Sequence, residues 1–164
     1  MKKTFIAIAI AFLSLLFIQS CEQDKIEPTN TDIELFNLVT QGGYVYYQGG
    51  AILPAAAPSP HGPFKLRFNV TAFAALDSLG ELPAGNSFPT GSILVKEFYS
   101  GGNLSQYAVM NKDPANGNAA NGWVWAEFST TGAVVNSTTN KGSGCVGCHN
   151  SAPARDLVKT FDLH

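Results

Sequence analysis

Cysteine is scarce in this chain, with three residues, Cys21, Cys145 and Cys148, among 164. So few thiols cannot make a framework of structural disulfides, and a folded domain must be held by its core. Charge is scarce too, at 13% of residues, and 10 Lys and Arg stand against 12 Asp and Glu. A nucleic-acid partner calls for a basic face, which this balance does not supply. No second Cys or His pair is present to complete a four-ligand zinc site. A thioredoxin-like redox site would need a βαβ context, and none is visible. The sequence also has no internal repeat and no apolar run of the roughly 20 residues that a spanning helix needs.

What is present begins with an address. Lys2 and Lys3 precede an apolar run from Phe5 to Ile18, broken by Ser14, and Ile18-Gln19-Ser20-Cys21 follows. This resembles a bacterial lipoprotein signal over residues 1–20, with Cys21 left as the lipid-bearing terminus. The expectation is an exported protein, lipid-anchored at the periplasmic face or the outer surface. Removing residues 1–20 leaves 144, with 8 basic and 12 acidic side chains and a net charge of −4. That length suffices for one domain with its own core. Residues 21–30 are polar and pattern-free and read as a flexible tether, with the domain from 31 to 164.

Near the other end stands Cys145-Val146-Gly147-Cys148-His149. Two thiols three positions apart with an imidazole directly after them form the signature of c-type haem attachment. Each thiol adds to one vinyl group of the porphyrin, and the histidine that follows reaches the iron. Gly142, Gly144 and Gly147 leave room for a close approach. A zinc half-site or a redox disulfide are the competing readings, and the export signal favours one covalent haem c. With Cys21 under lipid and Cys145 and Cys148 under haem, no cysteine is left over.

Between the two ends the pattern is mostly strand. Thr31-Asp32-Ile33-Glu34 matches a capping box, with Ile33, Phe36 and Val39 on one helical face and Gly42-Gly43 as the stop. Tyr44–Tyr47 reads as a strand. A proline-rich loop spans 54–63, and Phe64–Val70 alternates apolar and polar. Thr71 is expected to cap a short helix to Leu79. Strands follow over Ser92–Tyr99, Leu104–Met110, Trp123–Phe128 and Ala133–Val135. The expected fold class is α+β, mainly an antiparallel sheet with one or two packed helices, and haem bound by the C-terminal segment. A small helical cytochrome c would carry its motif near the N-terminus instead.

A set of stretches makes a resemblance specific. They are His61-Gly62-Pro63 with the strand ending at Asn69, Phe88-Pro89-Thr90-Gly91-Ser92-Ile93-Leu94-Val95-Lys96-Glu97, Met110-Asn111-Lys112, the Trp123 strand, and CxxCH followed by Ala154-Arg155-Asp156 and Phe161. Together these resemble the cytochrome P-460 family, which includes the c′-beta cytochromes, over about residues 60 to 162. The resemblance implies a β-rich homodimer with one five-coordinate haem. It also implies oxidation of hydroxylamine or binding of nitric oxide and related small ligands. In its hydroxylamine-oxidising members a lysine is cross-linked to the haem, and Lys96 is the candidate here. In its nitric-oxide-binding members phenylalanine caps the iron, which makes Phe64 and Phe68 cap candidates.

The residues themselves leave the choice open. Lys96 shares a strand face with Leu94 and Phe98, where either a snorkelling lysine or one directed at the porphyrin would fit. Phe64, Leu66 and Phe68 share another face, a pattern that plain core also gives. Lys65 and Arg67 should then point to solvent. Glu97 and Glu127 are possible acids, each more at home as a surface partner of Lys or Arg. Met110 is either a gap-filler or a sixth ligand, and a sixth ligand would make a tethered electron carrier with an unknown redox partner. His61 is expected in a loop contact and His164 at a mobile end. Trp123 and Trp125 read as core or dimer contact, and Arg155-Asp156 as a local ion pair or a propionate anchor.

Overall fold

In the computed structural model, residues 25–164 are described, except 57, 58 and 60. The signal segment, the lipid site at Cys21 and the first part of the tether lie outside the described residues. Among the described residues no helix is long and apolar enough to cross a membrane.

Helix α1 runs from Asn30 to Thr40. Its cap is Thr29 rather than Thr31. The Thr29 hydroxyl accepts from the Asp32 N–H at 3.2 Å, and Asp32 accepts the Thr29 N–H at 2.9 Å. The chain offers two Thr-x-x-acid boxes in a row, and burial selects the first. Asp32 is fully buried and also accepts from the Ser137 hydroxyl and the Thr138 N–H, each at 2.8 Å. The helix presents Leu35 and Val39 to the core, while Ile33 is exposed.

The sheet is a six-stranded antiparallel meander in chain order. Its strands are β1 (Val45–Tyr46), β2 (Phe64–Phe68), β3 (Ile93–Ser100), β4 (Asn103–Lys112), β5 (Trp123–Ser129) and β6 (Val134–Asn136). Strand β1 is shorter than its β-propensity suggests, because the chain turns through Gln48, Gly49 and Gly50 at positive φ. The one-turn helix α2 (Val70–Phe73) is capped by Asn69, not Thr71. The Asn69 side-chain oxygen accepts from both Ala72 N–H and Ile93 N–H, and its amide donates to the Gly91 carbonyl. Asn69 therefore ties the end of β2 to the start of β3, and that second job fixes it as the cap. Two further one-turn helices, α3 (Val146–His149) and α4 (Thr160–Leu163), lie in the C-terminal segment. The fold class is α+β.

Both faces of the sheet are covered. On one, α1 packs Leu35 and Val39 against Val95, Val109, Val124, Ala126 and Phe128. On the other, Phe64, Leu66, Phe68, Leu94, Met110, Trp123 and Trp125 meet Phe88 and the C-terminal Val158 and Phe161. Arg67 is consequently buried rather than solvated. Its Nε lies 2.7 Å from Glu97, its Nη2 donates to the Val39 carbonyl at 2.9 Å, and its guanidinium sits 4.4 Å from the Tyr44 ring centre. Alternation along β2 separates the two faces correctly, but it cannot say that α1 covers the second. The same pairing removes Glu97 from the haem-side candidates.

Candidate functional site

Strand register builds the floor of the site. Leu66 pairs with Lys96, Lys96 with Ala108, Ala108 with Glu127, and Glu127 with Asn136. These five form one row across five strands. The row on one side holds Phe68, Leu94, Met110 and Trp125, and the row on the other holds Phe64, Phe98 and Gln106. Ala108, at the centre, is small and leaves room above it. Over this floor lies a cavity of about 810 Å³, walled on its far side by Cys145, Cys148, His149, Val158 and Lys159. That volume falls within the range of sites that take a drug-sized or cofactor-sized ligand.

The CxxCH stretch is held against the sheet by its neighbours. Gly142 has φ +68, and a Cβ there would meet Trp125 and Val146 at 2.7 Å, so only glycine lets the loop pass. Helix α3 then places Cys145 half-buried and Cys148 exposed, both as free thiols. Asn136 donates to the Cys145 sulfur at 3.5 Å. Burial pushes the Cys145 thiol pKa up, and the nearby Glu127 adds to it.

The His149 ring has a defined orientation. Its Nδ1 lies 2.7 Å from the Leu157 carbonyl, and its ring meets Trp125 edge-on at 4.9 Å between centres. With Nδ1–H donated to that carbonyl, Nε2 is the free electron-pair donor, the arrangement of a histidine metal ligand. Two free thiols and one such imidazole on the wall of a cavity of this size are the donor set that haem c requires. Among the described residues no group of three or more His, Cys, Asp or Glu side chains is gathered to hold a bare metal ion.

Lys96 is half-buried on the floor, forms no ion pair among the described residues, and sets its ammonium 3.9 Å from the Phe64 ring centre. Burial lowers its pKa from 10.5 to about 8, with Lys159 contributing. Glu127 is also half-buried, and Gln106 donates to it at 3.1 Å. Burial raises its pKa, and the Gln106 hydrogen bond opposes the rise. Of the two cap candidates, Phe64 lines the cavity. Phe68 does not; it stacks among Phe88 and Phe161 with Tyr47 edge-on. Phe98 and Trp125 are the other aromatic rings on the floor. Met110 lies there too, buried in the core cluster.

Both remaining histidines also line the cavity. His61 stacks on Phe98 at 4.8 Å, and burial followed by the Lys96 charge lowers its pKa to about 4. His164 is not loose: its ring abuts Phe64 at 5.2 Å, and its carbonyl accepts from Gln48 at 3.3 Å. The sequence pattern named Glu127 as a possible acid and Phe98 as a neighbour of Lys96 on its strand face, but did not single out Ala108 or Gln106, which also line the floor. Strand periodicity carries that signal, since every second residue of β3, β4 and β5 faces the cavity once the register is known.

The model of the family described as Cytochrome P460 matches residues 68–160, more than half of the chain. No curated protein sequence matches it significantly.

Proposed function

The chain belongs to the cytochrome P460 family, a family of haem c proteins, and from this premise we propose that it carries one covalent haem c and binds nitric oxide or a related small nitrogen oxide. Cys145 and Cys148 would form the two thioethers and His149 would be the axial ligand. Each attachment adds a thiol S–H across a vinyl double bond, so sulfur bonds carbon, the hydrogen goes to the neighbouring carbon, and no oxidant is needed. Bound haem supplies an iron with an open coordination position and a change of redox state. The chain's own residues orient His149, exclude water, and shape what can approach.

The observation that carries this reading is the apolar floor. Apart from Lys96, Glu127 and Gln106, the floor is lined by Phe64, Leu66, Leu94, Phe98, Met110 and Trp125, a mainly apolar surface that favours a small, uncharged ligand over a hydrated ion. In the test, nitric oxide is titrated into purified reduced protein, with spectra before and after. High-spin five-coordinate iron that takes the ligand supports the reading. Denatured protein should keep its haem, and Cys145→Ser with Cys148→Ser should lose it. A low-spin spectrum abolished by Met110→Leu or His61→Ala would replace the reading with an electron carrier.

A second reading, oxidation of hydroxylamine, draws on Lys96 and Glu127. A lysine with pKa about 8 is substantially a neutral amine near pH 8, hence a nucleophile toward a porphyrin edge. Bonding nitrogen to that edge removes one hydrogen from each partner, and so requires a two-electron oxidant of the peroxide class. Glu127 is a carboxyl able to take a proton from a substrate in the cavity. Digestion decides between the readings. A Lys96 peptide that co-migrates with the Cys145–His149 peptide, and a red-shifted Soret band lost in Lys96→Leu, favour the enzyme. A free Lys96 peptide with an ordinary haem c spectrum leaves ligand binding.

We also propose export with a lipid at Cys21 as the membrane attachment, and a homodimer. Cys21→Ala should release the protein from the detergent phase; unchanged partitioning would overturn the anchor.

A further inference from the structure

Asp156 is the meeting point of four stretches that lie far apart in sequence. Its two carboxylate oxygens each lie 2.8 Å from Lys112 Nζ. Oδ2 also accepts from the Phe88 N–H at 2.9 Å, and Oδ1 from the Trp123 indole N–H at 3.3 Å. The same indole N–H lies 3.2 Å from the Asp156 carbonyl. The lysine Nζ stands 4.8 Å from the Trp123 ring centre, and the ion pair has side-chain exposures of only 12% and 10%.

What this cluster fixes is the backbone. Asp156 and Leu157 are consecutive non-glycine residues at φ 48 and 71, the left-handed region that L side chains avoid. Such a pair persists only where its surroundings hold it. Asp156 is held through its side chain. Leu157 is held by its N–H, which donates to the Ala152 carbonyl at 3.0 Å, and by its buried side chain. The result is one carbonyl, that of Leu157, aimed at His149 Nδ1 at 2.7 Å.

We propose that the Lys112–Asp156 ion pair positions the axial histidine, by locking the left-handed Asp156–Leu157 turn whose carbonyl receives the His149 N–H. Lys112 and Asp156 are positioning residues, because neither touches the haem face of the cavity. A short, fixed hydrogen bond from Nδ1 raises the basicity of the ligating nitrogen, and second-shell hydrogen bonding of this kind is a lever on haem reduction potential. The inference rests on His149 being the axial ligand.

The test uses haem-loaded full-length protein and two readouts, the reduction potential and the iron–histidine stretching band of the reduced state. Lys112→Met keeps an aliphatic stem over Trp123 and removes the charge, so the fold is retained, which circular dichroism checks. The expected result is a potential shifted upward and a band shifted to lower frequency, with Lys112→Arg restoring both toward the parent. Asp156→Asn should shift them in the same direction. A folded Lys112→Met protein with parental band and potential overturns the proposal, as does failure of Lys112→Arg to restore them. If the parent itself shows no iron–histidine band and His149→Gly leaves its spectrum unchanged, the axial assignment has failed instead.

Discussion

Gly142 concentrates the tightest local constraint near the haem motif, since both its conformation and its space exclude a side chain. Gly142→Ala should cost about 2–4 kcal/mol, combining left-handed strain with a clash into Trp125. The loss is read as a fall in Tm together with reduced haem incorporation, because the displaced Trp125 is the neighbour of His149. His61 gives a pH signature. Its ordinary pKa of 6.5 falls to about 4 in the folded chain. Above pH 6.5 both states are neutral and His61 contributes nothing to the pH dependence. As pH falls from 6.5 toward 4, the unfolded state gains a proton that the folded state refuses, so stability declines across that window. His61→Phe, which keeps the stack on Phe98, should flatten the Tm profile between pH 6.5 and 4. An unchanged slope would mean that His61 is not buried in this way.

Asp32 matters at the scale of elements, because it joins the start of α1 to Ser137 and Thr138, just ahead of the haem motif. Burial pushes its carboxyl pKa up, but hydrogen bonds from Thr138, Thr29 and Ser137 together bring it below 3.8. A depressed carboxyl stabilises the fold above its unfolded pKa and stops doing so as pH falls through the folded value. Asp32→Asn should therefore be less stable than the parent at pH 7, and the gap should close below about pH 4. Asp32→Ala, which leaves buried donors without an acceptor, should cost about 3 kcal/mol or more by denaturant unfolding. The strands were legible because alternation and turn residues are local signals, and β2 to β6 fall close to where the pattern puts them. The caps were not. Thr29 and Asn69 win over Thr31 and Thr71 through partners more than twenty residues away, which no local pattern contains.

Across the whole molecule, two cores flank one sheet, and they depend differently on the cofactor. The α1 side is complete without it, whereas the other side encloses the large cavity. The double variant Cys145→Ser, Cys148→Ser should therefore keep slow amide exchange in α1 and β3–β5 while β2 and residues 145–164 exchange faster. Uniform loss of protection would show that the two cores unfold together. The covalent and axial candidates were visible as a motif because their chemistry needs adjacency in sequence. Lys96 stood out as a lysine on an apolar strand face, whereas Phe64 was a candidate only through the family resemblance. Glu127 was visible only as a possible acid alongside Glu97, and what separates the two is register: Ala108 pairs with both Lys96 and Glu127, which sets Glu127 on the floor, while Glu97 pairs with Arg67 on the other face. Phe68 shares the alternation of Phe64 but sits two rows away, where Phe88 and Phe161 close over it.

The floor row carries a consequence for how such proteins diverge. Its five positions lie on five separate strands, each flanked by residues that hold the sheet together without them. A mutation at Lys96 or Glu127 can thus alter reactivity while the scaffold, the histidine and the attachment loop stay as they are. On the proposed reading, the choice between trapping a ligand and oxidising one rests on two side chains of the floor, while the attachment loop and the sheet core stay common to both.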